Sequence, residues 1–359
     1  MLPPSYAASR WRRLFATFAI TLAGVFAVIG GFVLAFDPFG VGPWPARPPV
    51  LMDLNQRYMY PQVIRSRQFN ALVTGTSTVR LLDPAALDKA FDARFANMAM
   101  NSATAWEQAQ ILDLFLRETP APRTLIMGLD PLWCQADAAS DARRVTFRAF
   151  PKTFYDDNPL NDWPELLSLK ALEIAWRMML HRFGLMAERL RRDGYEVFTP
   201  DETTYDLVRA RGHIWAGRDR TIVDAPAYKP TTAERDGWVF PALAWIDSLI
   251  ARMPKDATVV LAFTPNHVAG QHPPGSPGLA REMACKAAVA TIGARHGATV
   301  VDFRIPSPVT REDSNYWDAL HYRLPVATRI LDGLARARAT GEDDPDGFYR
   351  VLAAPQRTR

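Results

Sequence analysis

The 359 residues carry 48% hydrophobic side chains, and 42 Lys and Arg stand against 38 Asp and Glu. That length and content suffice for a full buried core, while a net charge of +4 dispersed along the chain is too slight to define a nucleic-acid-binding face, so no nucleic-acid partner is expected. Two cysteines exclude a disulfide framework and a cysteine metal cage, and HExxH, P-loop and GxGxxG patterns are absent, so neither a metal nor a cofactor is expected. Cys134 and Cys285 read as two buried free thiols, with a single bridge as the alternative.

Arg10, Arg12 and Arg13 precede an uncharged run from Leu14 to Phe36. Its 23 residues, as a helix rising about 1.5 Å per residue, are long enough to span a bilayer core. The tripeptide Val33–Ala35 could pass as a leader-peptidase site, but the run exceeds the apolar length of a secretory signal, which favours an uncleaved anchor. The arginines hold residues 1–13 in the cytoplasm. The remainder then lies outside it, on the periplasmic face of the inner membrane. Proline-rich residues 37–60 read as a stiff spacer lifting the rest of the chain away from the lipid.

From residue 61 to 345, apolar runs bounded by turn residues alternate with helical patterns, the signature of βα units and a parallel sheet. A strand over Phe69–Thr74 leads into the turn "GTSTVR", Gly75–Arg80, and Asp83-Pro84 starts a helix. A short strand near Phe95–Ala99 is followed by a helix from the Thr104/Glu107 capping box to about Leu116. The strand Thr124–Asp130 precedes an interruption at about 135–235, too long for a loop and therefore an inserted subdomain, with a helix expected over Trp163–Arg192. A helix over Trp238–Met253, the strand Thr258–Phe263, a helix from Ser276-Pro277 to Gly297, the strand Ala298–Phe303 and a helix over Leu324–Ala337 complete the pattern. Residues 346–359 read as a tail.

Ligands bind beyond the carboxyl ends of the strands of such a sheet, and the loops there carry Ser77, Ser102, Asp130, His267, Asp318 and His321. The Asp318-x-x-His321 pair suits a histidine base oriented by a carboxylate, and Ser77 in a small-residue turn suits a nucleophile. Arg80, His267 and Trp133 are candidate substrate-binding residues. Arg80 reads as a partner for an anion or a carboxylate, or as a solvated turn residue; His267 reads as a substrate contact or a capping or packing residue; and Trp106, Trp133 and Trp317 read as stacking faces for sugar rings or as core side chains.

These blocks resemble the SGNH or GDSL-like esterases and acyltransferases. "GTSTVR" stands where that superfamily has its nucleophile block, "NMAMNSAT" (Asn97–Thr104) falls in the region of the second block, "MGLDPLW" at the third, and "DALH" matches its Asp-x-x-His. Behind a single anchor the pattern looks most like bacterial members that acylate cell-surface polysaccharides, relatives of the alginate O-acetylation and D-alanyl-transfer proteins. The resemblance implies a three-layer, flavodoxin-like α/β domain with a mostly helical insertion. It also implies Ser77 as nucleophile, His321 as base, Asp318 as its orienter, and an oxyanion hole of the Ser77 and Ser102 N–H groups. The implied partners are an acylated donor, a polysaccharide acceptor and a neighbouring membrane O-acyltransferase. The chain departs from the pattern with Thr76 in the nucleophile block, Ser102 for a glycine and Asp130 for an asparagine. A carboxylate facing an oxyanion would oppose it, and on that ground a catalytically inactive scaffold or polysaccharide-binding subunit is the alternative function.

Overall fold

A computed structural model describes residues 4–42, 49–218, 221–223 and 225–355. Helix α1 (Pro4–Phe36) contains the apolar run, and its stretch Arg10–Phe36 is long and apolar enough to cross a membrane. Residues 56–60, read as spacer, instead open helix α2 (Gln56–Arg65), capped by the Asn55 side chain on Arg57 N. Pro61 sits inside α2 and lacks the N–H that would bond the Arg57 carbonyl. The Tyr155 hydroxyl donates to that carbonyl instead, at 2.8 Å.

The spacer expectation fails at its start as well. Asp37 Oδ1 accepts from Val41 N and Gly42 N at 3.0 and 3.1 Å, and Phe39 is fully buried against Tyr58 and Phe154. The buried Phe39 ring makes residues 37–42 cohesive with the domain. Residues 43–48 of that segment lie outside the described residues.

Six strands form one sheet in the order β2-β1-β3-β4-β5-β6: β1 (Ala71–Thr74), β2 (Phe95–Asn97), β3 (Thr124–Leu129), β4 (Thr258–Phe263), β5 (Thr299–Asp302) and β6 (Arg350–Ala353). The first five run parallel, and β6 pairs antiparallel with β5 through Val300↔Ala353 and Asp302↔Arg350. The expected tail is therefore partly an edge strand. Only four residues long and led by an exposed arginine, it carries too little alternation to be read from sequence.

Alternate residues of the strands feed two cores, as the pleat requires. Leu72, Leu125, Met127, Leu261 and Val300 face one layer with α2, α4 (Ala105–Glu118), α8 (Leu243–Ile250) and α9 (Pro277–His296). Val73, Ile126, Val260, Ala262 and Val301 face the other, with α3 (Pro84–Phe91) and α10 (Leu324–Thr340). Both faces of the sheet are thus covered. Cys134 and Cys285 form a disulfide with Cα atoms 5.7 Å apart, tying the segment after β3 to α9. The free-thiol reading is corrected: 151 residues of sequence separate two cysteines that the fold brings together.

The insertion at 135–235 is not mostly helical. Among its described residues the α-helices are α5 (Leu169–Arg182), α6 (Leu207–Trp215) and the short α7 (Thr232–Asp236). The long helix expected over Trp163–Arg192 contracts to α5. Ser168 caps it by accepting from Ala171 N, and Gly184 at φ +71° lies just beyond its end. The helix expected over Trp238–Met253 likewise shortens to α8, since Pro241 and the turn before Leu243 delay its start.

Candidate active site

The loops after β1 and β3 flank the point where strand order reverses, the crevice in which open α/β sheets place ligands. After β1 the chain turns sharply at Gly75 into a 3-10 turn, Ser77–Val79. A Cβ on Gly75 would lie 2.6 Å from a Val79 methyl, and one on Gly128 of β3 would lie 2.5 Å from the other. Both glycines are therefore needed for the turn to sit down on the strand ends.

Ser77 Oγ lies 2.9 Å from His321 Nε2, and His321 Nδ1 lies 2.8 Å from Asp318 Oδ2. A carboxylate only accepts, so Nδ1 carries the hydrogen and Nε2 is left to accept from the serine hydroxyl. Asp318 Oδ1 takes the backbone N–H groups of Leu320 and His321 at 2.7 and 2.8 Å. Burial alone would raise the Asp318 carboxyl, but the His321 ring and these N–H groups hold it below its ordinary value. It stays ionised, and its second oxygen stays on the imidazole.

The pair stands on a hairpin. Tyr316 and Tyr322 form an antiparallel bridge, Trp317 N donates to the His321 carbonyl at 2.8 Å, and the Tyr322 hydroxyl donates to the Thr78 carbonyl in the serine turn. Serine and histidine are therefore locked to each other by a buried tyrosine as well as by their own contact.

The turn after β2 runs beside the serine turn, with Met98 N on the Val73 carbonyl and Met100 N on the Gly75 carbonyl at 2.8 and 3.1 Å. Ser102 ends it at φ +53°, a left-handed conformation that costs a serine roughly 1–2 kcal/mol and costs glycine almost nothing. Among the described residues the N–H groups of Ser77 and Ser102 have no acceptor. Arg57 supports this turn from below. It bonds the Asn101 carbonyl at 3.2 Å and makes a two-pronged, fully buried pair with Glu107, whose other contacts build the predicted Thr104 capping box.

Both carboxylate oxygens of Asp130 are engaged by the serine turn. Thr76 Oγ1 donates to its Oδ2 at 2.6 Å and Thr78 Oγ1 to its Oδ1 at 3.0 Å, while Thr264 donates on to Thr78. The expectation of Asp130 in the oxyanion hole is corrected: its two oxygens grip the residues on either side of Ser77. Burial pushes its carboxyl above the ordinary range, against the pull of Arg304 at 4.0 Å and the two hydroxyls.

The three expected substrate-binding residues are all committed elsewhere. Trp133 is fully buried, and its Nε1 donates to Gln108 at 3.1 Å. Arg80 is buried too, bonded to Asn101 Oδ1 at 2.7 Å and paired with Glu196, so the acid it was expected to meet belongs to the protein. His267 caps the following turn by accepting from Ala269 N with Nδ1, while Nε2 lies 3.1 Å from Asp313 Oδ1 and the ring is wedged between Trp215 and Tyr316. Of the other proposed stacking tryptophans, Trp106 lies against Phe150 and Trp317 against Tyr205.

Residues that sequence reasoning did not single out complete the rim. Phe198 of the insertion meets the His321 ring edge-on at 5.5 Å, and the Arg80 guanidinium lies over its face at 4.9 Å. Glu202 accepts from Arg323 Nε and Leu324 N, and the Tyr205 hydroxyl donates to the Asp313 and Tyr316 carbonyls. The insertion thereby braces the hairpin. Its aperiodic sequence held no signal of this, because each contact is made by one residue to a partner more than a hundred positions away. Compared with known proteins, the chain matches no family model and no curated protein.

Proposed function

We propose that this chain is a membrane-anchored serine acyl esterase or O-acyltransferase of the SGNH type, acting outside the cytoplasm on a cell-surface or exported polysaccharide. The observation that carries the reading is the unbroken relay Ser77–His321–Asp318, with steps of 2.9 and 2.8 Å, at the carboxyl edge of the parallel strands. The flavodoxin-like order of those five strands agrees with it.

In this reading Ser77 Oγ adds to an acyl carbonyl as its proton passes to His321 Nε2, and Asp318 stabilises the imidazolium. The N–H groups of Ser77 and Ser102 receive the oxyanion. Collapse breaks the bond to the leaving oxygen, which takes the proton from His321, and leaves Ser77 acylated. A second hydroxyl, from water or a sugar, then gives its proton to His321 and accepts the acyl group, restoring Ser77. Asp130 holds the serine turn through Thr76 and Thr78 and takes no part in proton transfer.

Two observations support the orientation. Arg10, Arg12 and Arg13 precede the apolar run of α1, and the Cys134–Cys285 disulfide suits an oxidising compartment. The anchor suits transfer more than hydrolysis, because a neighbouring membrane protein can then deliver donor or acceptor. The test is a fluorophosphonate probe on the full chain: labelling of wild type and none of Ser77→Ala is expected. Equal labelling of both would remove the assignment.

A further inference from the structure

Helix α5 carries an unpartnered apolar stripe. Leu169, Trp176 and Phe183 recur every seventh residue on one face and are 85%, 53% and 70% exposed. Leu167 before the helix and Leu185 after it extend the stripe and are exposed as well. The opposite face, Ala171, Ile174 and Ala175, is buried in the core.

The position of α5 along α1 says what covers the stripe. Val33, in the last turn of α1, is buried, and Phe32, Leu34 and Phe36 pack against the core cluster that contains Leu166, Ala171 and Ile174. The α1 helix thus packs directly on α5 and on the 3-10 turn Trp163–Leu167. Val33 lies only about 5 Å along the axis from the end of the apolar run, at roughly 1.5 Å per residue. If Leu14–Phe36 spans the bilayer, the elements packed on its last turn lie at the depth of the outer headgroups. They touch α1 directly.

We propose that α5 and its flanking turns form an interfacial platform whose outward stripe is embedded in the outer leaflet of the membrane that α1 crosses. The proposal rests on the reading of α1 as the anchor. Side-chain chemistry agrees with a lipid occupant. Trp163 and Trp176 are residues of the kind that sit at headgroup level, and Arg182 and Arg189, exposed and without an acidic partner among the described residues, complement lipid phosphates. The same insertion continues through Glu196 and Phe198 to the rim of the candidate site. Folded protein, rather than a tether, sets the height of that site above the lipid.

The experiment uses the full chain in vesicles of phosphatidylcholine and phosphatidylglycerol. Both native cysteines are in the disulfide, so single cysteines at Trp176 and Phe183 take an environment-sensitive fluorophore, and nitroxides at defined depths in the lipid chains quench it. Ile29→Cys in α1 and Met283→Cys on the exposed side of α9 are the references. Trp176→Cys and Phe183→Cys are expected to be quenched by shallow nitroxides at least about twice as strongly as Met283→Cys, and Ile29→Cys by deep ones. Quenching at Ile29 with none at Trp176 and Phe183 would overturn the platform while keeping the anchor. No quenching at Ile29 would instead remove the anchor. Energy transfer between labelled copies at Phe183 without lipid quenching would overturn the proposal in favour of a second copy of this chain. Because a cysteine variant can misfold, the unlabelled chain provides a second reading: shallow nitroxide lipids should quench wild-type tryptophan emission more than that of Trp176→Phe, and equal quenching would count against the platform.

Discussion

Two histidine–aspartate pairs stand a short distance apart in this molecule, and they share composition but not chemistry. In His321–Asp318, Nδ1 faces the carboxylate and Nε2 is left facing a serine hydroxyl, with all three side chains partly exposed. In His267–Asp313, Nδ1 accepts from a backbone N–H, Nε2 lies 3.1 Å from the acid without a hydrogen bond, and the ring is fully buried. Burial lowers the His267 pKa even though Asp313 pulls the other way. What separates a histidine able to act as a base from a structural wedge is therefore what faces its Nε2, and whether that neighbour has a proton to give.

The sharpest way to break that contrast is to remove the hydroxyl. Ser77→Ala is expected to lower ester cleavage by roughly 10⁴-fold or more, and His321→Ala by a similar factor without adding to it, because the residues act as a unit. Steady-state hydrolysis of a small acetyl ester measures both. Asp318→Asn keeps the shape but lets the ring adopt the other tautomer, so a loss of roughly 10⁴-fold in kcat with KM little changed is expected.

Asp130→Asn tests the grip on the serine turn. One of the two threonine hydroxyls loses its acceptor, and a fall in kcat of roughly threefold to thirtyfold is expected, without the gain that relief of a repelled oxyanion would give. A rise in kcat would place the carboxylate at the oxyanion after all.

His267→Leu should do the reverse of the triad variants. It strips Ala269 N and Asp313 of a partner, so stability should fall by roughly 1–3 kcal/mol in thermal or denaturant melts while kcat per folded molecule changes little.

The smallest effect lies in the insertion. Asp162 is buried beside Arg65 at 2.9 Å, and burial outweighs the arginine, raising its pKa from 3.8 to about 6. The native state therefore holds a proton that the unfolded chain releases, and stability declines as pH rises from about 4 to 6. Asp162→Asn should flatten that slope in melts across the window, and an unchanged slope would assign it to another group. Asp318, held below its ordinary value, has the opposite sign and contributes its stability above that value.

Much of this was legible because it is local. The αL glycine that ends α9, the Asp83 cap, the Thr104/Glu107 box and the strand Thr258–Phe263 each depend on residues within a turn of one another. So does the Asp318-x-x-His321 spacing, which places the carboxylate on the ring through a single tight turn. The apolar run of α1 depends only on composition.

Other features depend on partners that sequence separation hides. Ser77 meets His321 across 244 residues, and Cys134 meets Cys285 across 151. Asp130 looked like a threat to catalysis because its residue type was visible and its direction was not. Only the packed strand ends brought Thr76 and Thr78 onto its two oxygens. Arg80, His267 and Trp133 were candidates for substrate for the same reason, and tertiary neighbours had already buried and engaged them. Hydrophobic period, caps and short turns are set by the chain's own near neighbours, so sequence alone determines them. The direction of a buried polar side chain is set by whichever partner the fold brings within hydrogen-bonding distance, and that only the tertiary structure decides.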